Sequence, residues 1–326
     1  MRRLGWLGVL LVLCLLPILS ANAAIDDTLE QIEDAVESPL REDKRLAGDR
    51  KFPPVRLTIK EEIEWGDFDG TDVTTFRTTA GAEIRFPITR KYLAAVSTQV
   101  GITATDFHGD NGFIDTGRPT TKDPWKELHE FSLRYRSQYL VNDNWGVMLA
   151  AWMVSRYEDG ASFNNGLKGA GATGISYRYG DNITVVLGVS VSSRIVGGGA
   201  SVNPFGQLAW KIDDRHTLST SGLGLRLRSR WNKAITTDVF ARYKGRRWRL
   251  DDREGSTANK GSLRNRGLPI GVGLRWKFLK GWRLRTEFGL VAYRQVKITD
   301  KDGDSTDNET ADAPGVFGSL MVQWRF

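Results

Sequence analysis

The densest chemistry in this sequence is cationic, and it recurs with a period of two. Arg226, Arg228 and Arg230 alternate through one run, and Arg242, Lys244 and Arg246 through the next. Arg275 and Lys277, then Arg283 and Arg285, repeat the spacing in the two runs that follow. Residues two apart share one face of an extended strand, so each set projects to one side. If these runs pair as consecutive strands, the ten cations form one wall. Rings of Arg and Lys bias an aqueous passage toward anions. On the same faces of the same runs the acidic residues are Asp238 and Glu287. Earlier runs carry both signs: Glu62, Glu64, Glu83 and Glu130 share faces with Arg56, Lys60, Arg77, Arg85, Arg134 and Arg136. Two readings stay open, a hydrated lumen that attracts anions and an internal lattice of salt bridges that fills it.

Other constellations carry less. The histidines are His108, His129 and His216. His129 and Ser132 are three apart, so on a strand they point to opposite faces and form no base–nucleophile pair. His129 shares the face of Phe131 and Leu133, while His108 falls in a polar stretch and His216 in a turn. HExxH, GxSxG, Walker A and dinucleotide glycine patterns do not occur after the leader, so neither enzyme activity nor a cofactor is expected. Asp300, Asp302 and Asp304 alternate as calcium ligands do, but Gly303 and Glu309 fall at the wrong places for a calcium loop. A solvated loop is the reading there, and no metal is expected. Gly169, Gly171, Gly174 and Gly197–Gly199 lack the strand–loop–helix context of a phosphate cradle.

The elements that must position the cations are strands. From Val55 onward apolar and polar residues alternate, as in Val55, Leu57, Ile59, Ile63 and Trp65 against Arg56, Thr58, Lys60, Glu62 and Glu64. Thirteen such runs can be counted to Phe326, most of 9 to 15 residues. Soluble strands usually have about 5–6 residues, and membrane strands need about 9–11. The run Trp145–Tyr157 is ambiguous because both of its faces are apolar. Short turns flanked by aromatics (Pro87–Lys91, Val141–Asn144, Gly180–Asn182, Leu279–Gly281) alternate with longer polar segments at Asp106–Pro124, Glu158–Gly166, Asp251–Arg266 and Thr299–Pro314. That is the asymmetry of a barrel with tight turns at one end and loops at the other. A closed barrel needs an even count. A short strand near His216–Ser221, with another from Leu223, raises thirteen to fourteen; dropping one run gives twelve.

The start of the chain is of another kind. Arg2 and Arg3, the apolar run Leu4–Leu19 and Ser20-Ala21-Asn22-Ala23-Ala24 read as a signal peptide over residues 1–23. Cys14, the one cysteine, leaves with it, which excludes disulfides and thiolate chemistry. Residues 24–54 read as an acidic amphipathic helix, Asp26–Leu40, and a basic linker, and residues 55–326 as the barrel. The helix, through Asp26–Glu37, is the first candidate partner for the cationic wall if the lumen is plugged. Net charge is +7, or +5 once Arg2 and Arg3 leave. Export and the dispersal of charge along strands argue against nucleic acid.

The final run, Val316–Phe326, ends in Trp324-Arg325-Phe326. With the leader and the repeated hairpins it resembles a bacterial outer-membrane β-barrel, and Pro204–Trp231 is similar to outer-membrane barrels grouped under a domain of unknown function. The resemblance implies an all-β, transmembrane antiparallel barrel of about 12–14 strands in the outer membrane of a Gram-negative bacterium. It implies that Trp324 and Phe326 serve as an assembly signal. The partners it implies are outer-membrane lipid, lipopolysaccharide and the barrel assembly machinery. From the cations, the expected role is a porin-like passive channel for small hydrophilic solutes, tilted toward anions. A non-conducting structural or surface-binding barrel is the alternative, and the oligomeric state stays open.

Overall fold

The computed structural model describes residues 54–326 apart from 69–70, 90, 109–123, 194–198, 222, 253–259, 303 and 312. The expected signal peptide, helix and nearly all of the linker lie outside the described residues. Sixteen strands follow in chain order. They are β1 (Val55–Phe68), β2 (Thr71–Pro87), β3 (Tyr92–His108), β4 (Leu128–Leu140), β5 (Trp145–Glu158), β6 (Leu167–Tyr179), β7 (Ile183–Ser193) and β8 (Ala200–Lys211). Then come β9 (His216–Ser221), β10 (Gly224–Arg230), β11 (Ile235–Arg242), β12 (Lys244–Arg249), β13 (Ser262–Leu279), β14 (Trp282–Thr299), β15 (Ser305–Thr310) and β16 (Gly315–Arg325).

Fourteen of them close a barrel. β1 to β11 pair each with the next; β11 pairs β13, β13 pairs β14, β14 pairs β16, and β16 returns to β1. All of these ladders are antiparallel. The fourteenth strand is β9, the short one at His216–Ser221. β12 continues the β11 arm past Tyr243 along β13, and β15 pairs the far end of β14 alone. Two segments read as loops thus contain strand, Ser262–Arg266 within β13 and Ser305–Thr310 as β15. Their polarity hid hydrogen-bonded extensions beyond the closed wall.

Alternation sets the two faces. Ile59, Val100, Leu149, Leu187, Val239, Phe288 and Leu320 lie outward and exposed, while their neighbours in sequence turn inward. An apolar exterior around a charged interior inverts a soluble protein and is the pattern expected of a β-barrel that spans a membrane. Four of the short turns share one device, in which a side-chain oxygen accepts the amides two and three residues on. Thr89 Oγ1 takes Lys91 and Tyr92, Asn142 Oδ1 takes Asn144 and Trp145, Asp213 Oδ1 takes Arg215 and His216, and Asn232 Oδ1 takes Ala234 and Ile235. These residue types mimic a backbone turn, which fixes hairpin register at this end. The wall is sealed beside them, where Val55 and Phe326 exchange both backbone hydrogen bonds, at 3.2 and 3.1 Å. Trp282 stacks on Trp324 at 5.5 Å, and Trp324 meets Phe326 at 4.6 Å.

The opposite end is capped. Inward residues at the far ends of β1, β2 and β4 (Phe68, Val73, Leu128), with Trp125, pack against Trp248, Leu250, Leu263, Val296 and Ile298 of the β12–β14 extension. All are buried. An irregularity helps build this cluster. From Gly267 to Pro269 β13 advances two residues while β14 advances three, Val291 to Arg294. The extra residue reverses the faces of β14, so Arg294, Val296 and Ile298 turn inward above it.

Candidate functional site

Between the turn end and the cap, the lumen is crossed by ion pairs. Eight of the ten cations predicted from spacing come together here; Arg228, Arg242, Arg275 and Arg285 take the carboxylates of those same four runs, Asp238 and Glu287, and Lys244 takes one from β1. Lys244 Nζ reaches Glu62 at 2.6 Å, from β12 to β1, and Lys60 bonds the same carboxylate. Arg242 Nη2 donates to Glu287 at 2.8 Å, and Arg285 also pairs Glu287. Arg228 and Arg275 hold the two oxygens of Asp238 at 3.1 and 2.7 Å. Arg77 and Arg156 meet on Glu130 at 2.9 and 2.8 Å. Glu83 gathers Arg136 at 2.7 Å, Arg85 at 2.6 Å and Arg56 at 3.6 Å. Arg226 and Arg242 also lie over the Phe240 ring, at 5.9 and 4.7 Å from its centre, close enough for cation–π attraction.

Two glycines make the pairing possible. Gly101 lies between Thr79 and Glu130 in the β2–β3–β4 row, and a Cβ there would come within 3.0 Å of Thr79. The gap lets Arg77 reach over β3 to Glu130. Gly273 lies between Asp238 and Glu287, where a Cβ would stand 3.3 Å from the Glu287 side chain. Two carboxylates on one row are thus presented to cations of four strands.

The ten predicted residues do not share one fate. Arg226, Arg242, Lys244 and Arg246 line a cavity of about 170 Å3 on the cap side, with Lys60, Arg77, Glu130, Arg156 and Glu287. Arg228, Arg275 and Arg283 line a larger one, of about 370 Å3, toward the turns, and Arg285 lines both. Arg230 and Lys277 are exposed at the turn end. The larger cavity has eight arginines in its lining, Arg56, Arg85, Arg134 and Arg136 completing the set, against one carboxylate, Glu83. Three of these arginines reach carboxylates outside that lining, Arg228 and Arg275 on Asp238 and Arg285 on Glu287, so eight guanidiniums share three carboxylates and the chamber keeps a positive excess.

Spacing missed three features. Arg294 is almost fully buried, donates to Thr75 at 2.9 Å, pairs Glu64 at 3.0 Å and lies over Phe68. Simple alternation placed it outside, and the extra residue in β14 reverses that. Arg156 was readable: the 141–144 turn sets Leu140 opposite Gly146, and counting back from it sets Glu130 opposite Arg156. The third is Glu158, whose two carboxylate oxygens accept the Lys126 and Asp251 amides at 2.7 and 2.9 Å and tie two distant segments to β5.

The remaining candidates do not assemble chemistry. His129 faces Asp159 at 4.0 Å and stacks near Tyr157, while Ser132 is buried on the other face. His216 bonds Asp213 within its own turn at 2.9 Å. The Asp213 carboxyl lies outside the strands and is held down at about 2 by the His216 amide first, then the His216 ring and the Arg215 amide. Asp300 turns its Oδ1 to the amides of Asp302 and Asp304, both at 2.9 Å, and so caps its own turn. Among the described residues no group of three or more His, Cys, Asp or Glu side chains is placed to hold a metal ion.

A closed fourteen-strand barrel with an apolar exterior and a charged lumen is the class that fold and site define. Within that class, residues 72–325 match the family described as Domain of unknown function (DUF6268), and the chain belongs to it. No curated protein matches the chain. Among solved structures it is similar to the COG4313 outer membrane channel from Pseudomonas putida F1, at 9% identity over 86% of this chain and 98% of that one, with a TM-score of 0.47. A Pseudomonas aeruginosa FadL homologue is similar at 10% identity over 84% and 90%, with a TM-score of 0.43. The KdgM porin in complex with disordered oligogalacturonate is similar at 11% identity over 83% and 99%, with a TM-score of 0.37.

Proposed function

We propose that the protein is an outer-membrane channel of a Gram-negative bacterium that passes small hydrophilic solutes and favours anions. The observation that carries this is the turn-side chamber, with eight arginines and one glutamate around about 370 Å3. Even counting Asp238 and Glu287, which hold Arg228, Arg275 and Arg285, eight guanidiniums share three carboxylates, and a cleft lined by an excess of one sign concentrates the opposite ion. Such a lining is tolerable when water and mobile anions enter it. The turn end, with Val55 and Phe326, would face the periplasm and the capped end the exterior, following the usual asymmetry of turns and loops. In the arrangement described, the apolar cap and the ion-pair layer stand across the path, so conduction requires the cap to part. Purified protein in planar bilayers under a salt gradient tests this reading. A reversal potential on the anion side is expected, and Trp248→Ala, which loosens the cap, should raise conductance. A correctly folded barrel that is silent both as wild type and with Trp248→Ala would favour the non-conducting alternative, for which the buried cap is the specific argument.

A further inference from the structure

The arginine chamber is not charged all round. β5 turns Met148, Ala150 and Trp152 inward, and they pack with Ala172 of β6, Val186 of β7 and Phe205 of β8 into a buried apolar cluster. This resolves the run whose two faces both read as apolar: one face belongs to the exterior, the other to the lumen. Trp152 and Ala150 reach the lining of the larger cavity, beside Tyr135 and the arginines. The β4–β5 register sets Arg134 directly opposite Trp152 and Arg136 opposite Ala150. A guanidinium therefore stands beside an indole on one row of the wall and beside an alanine methyl on the next inward row, with Arg228, Arg275 and Arg283 among the lining residues.

From this juxtaposition we infer that the chamber binds small amphipathic organic anions, carboxylates carrying an aromatic or branched apolar group, in preference to fully hydrophilic anions. The inference deepens the proposed anion channel and rests on the same chamber. The carboxylate takes guanidinium donors, which suit it bidentately. The apolar group lies along Trp152 and Ala150. A ligand that is only an anion leaves the apolar edge wetted, and one that is only apolar forgoes the guanidinium donors. Volume agrees, since a single-ring carboxylate fits within about 370 Å3.

The test is a ligand titration of the purified full-length barrel in detergent at low salt. 4-Fluorobenzoate is followed by fluorine NMR, acetate is used as competitor, and neutral 4-fluorobenzamide controls for micelle uptake. Partial burial of one ring, at about 25 cal/mol per Å2, gives 4-fluorobenzoate an advantage over acetate of about tenfold or more. Trp152→Ala should bring the affinity ratio toward one, Trp152→Phe should keep it, and Arg134→Gln should weaken both carboxylates. Equal binding of 4-fluorobenzoate and acetate by the wild type overturns the inference even if the barrel conducts anions, and so does amide binding as tight as the acid. Preferential 4-fluorobenzoate binding by a barrel that conducts nothing would uphold the inference while removing the channel reading.

Discussion

Glu130→Gln should destabilise the barrel by about 3 kcal/mol. Glu130 is buried and receives Arg156 Nε at 2.8 Å and Arg77 Nη2 at 2.9 Å, and both arginines are themselves buried. Removing one partner of a buried pair costs about 3–5 kcal/mol, because the stranded charge keeps its desolvation penalty. Two cations lose this carboxylate, which argues for the upper end of that range. The retained amide oxygen still accepts one donor, and the 170 Å3 cavity beside the pair admits some water, which argues for the lower. At about 3 kcal/mol the folding equilibrium falls by roughly a hundredfold. Urea unfolding of the refolded barrel in lipid vesicles, read by tryptophan fluorescence, measures it. A cycle with Arg156→Met should give a coupling energy of at least about 1 kcal/mol, as expected for contacting residues. A single-variant loss below about 1 kcal/mol would refute the reasoning, for it would put the pair in the range of solvent-exposed salt bridges.

Deleting Trp324–Phe326 removes the hydrogen-bonded seam to Val55 and the stack on Trp282, so heat-modifiable migration on a gel should be lost while the protein is still exported. Asp213 titrates near 2 instead of near 3.9, so what it adds to its turn is present above about pH 4 and lost as pH falls toward 2. Hydrogen exchange at the Arg215 and His216 amides should quicken over that window, and Asp213→Ala should show the fast rate at every pH; an unchanged rate would remove the carboxylate from the turn. A cysteine at exposed Asp302 should react with an impermeant thiol reagent on intact cells, and one at Asp143 only after the outer membrane is permeabilised. The reverse pattern would invert the orientation.

Alternation made the wall legible, because the period of two survives wherever one face meets an apolar exterior. Parity of the strand count was legible too, but it left fourteen and twelve both open, and the short His216–Ser221 strand in the wall makes it fourteen. The cap was not. Phe68, Val73 and Trp248 sit on inward faces that period two assigns correctly once the runs are extended, and Leu263 lies in a segment read as a loop; period two does not say how high a residue stands or that two extensions meet. The ion-pair layer was half legible. The ten wall cations were found by their spacing but Arg156 was not, and partners were sought on neighbouring runs, whereas the pairing of Lys244 with Glu62 is made by barrel closure across the lumen. Arg294 was lost to one extra residue in β14, an irregularity with no strong signature around Ala292 and Tyr293. The apolar inner wall was visible only as an ambiguity in Trp145–Tyr157.

The selectivity of the lumen is the central claim, and reversal potential tests it most directly. The choice of variant follows from the geometry. Arg228 and Arg242 hold buried carboxylates, so reversing them would strand Asp238 or Glu287 as well as change the field. Arg283 lines the chamber and Arg230 is exposed at its end of the barrel, so Arg283→Glu with Arg230→Glu alters charge with less structural cost. Under a potassium chloride gradient in planar bilayers, the wild type should reverse on the chloride side, and the double variant should move toward the potassium side with the barrel still folded. A folded wild type that reverses on the potassium side, or a double variant that leaves the potential where it was, would contradict the account.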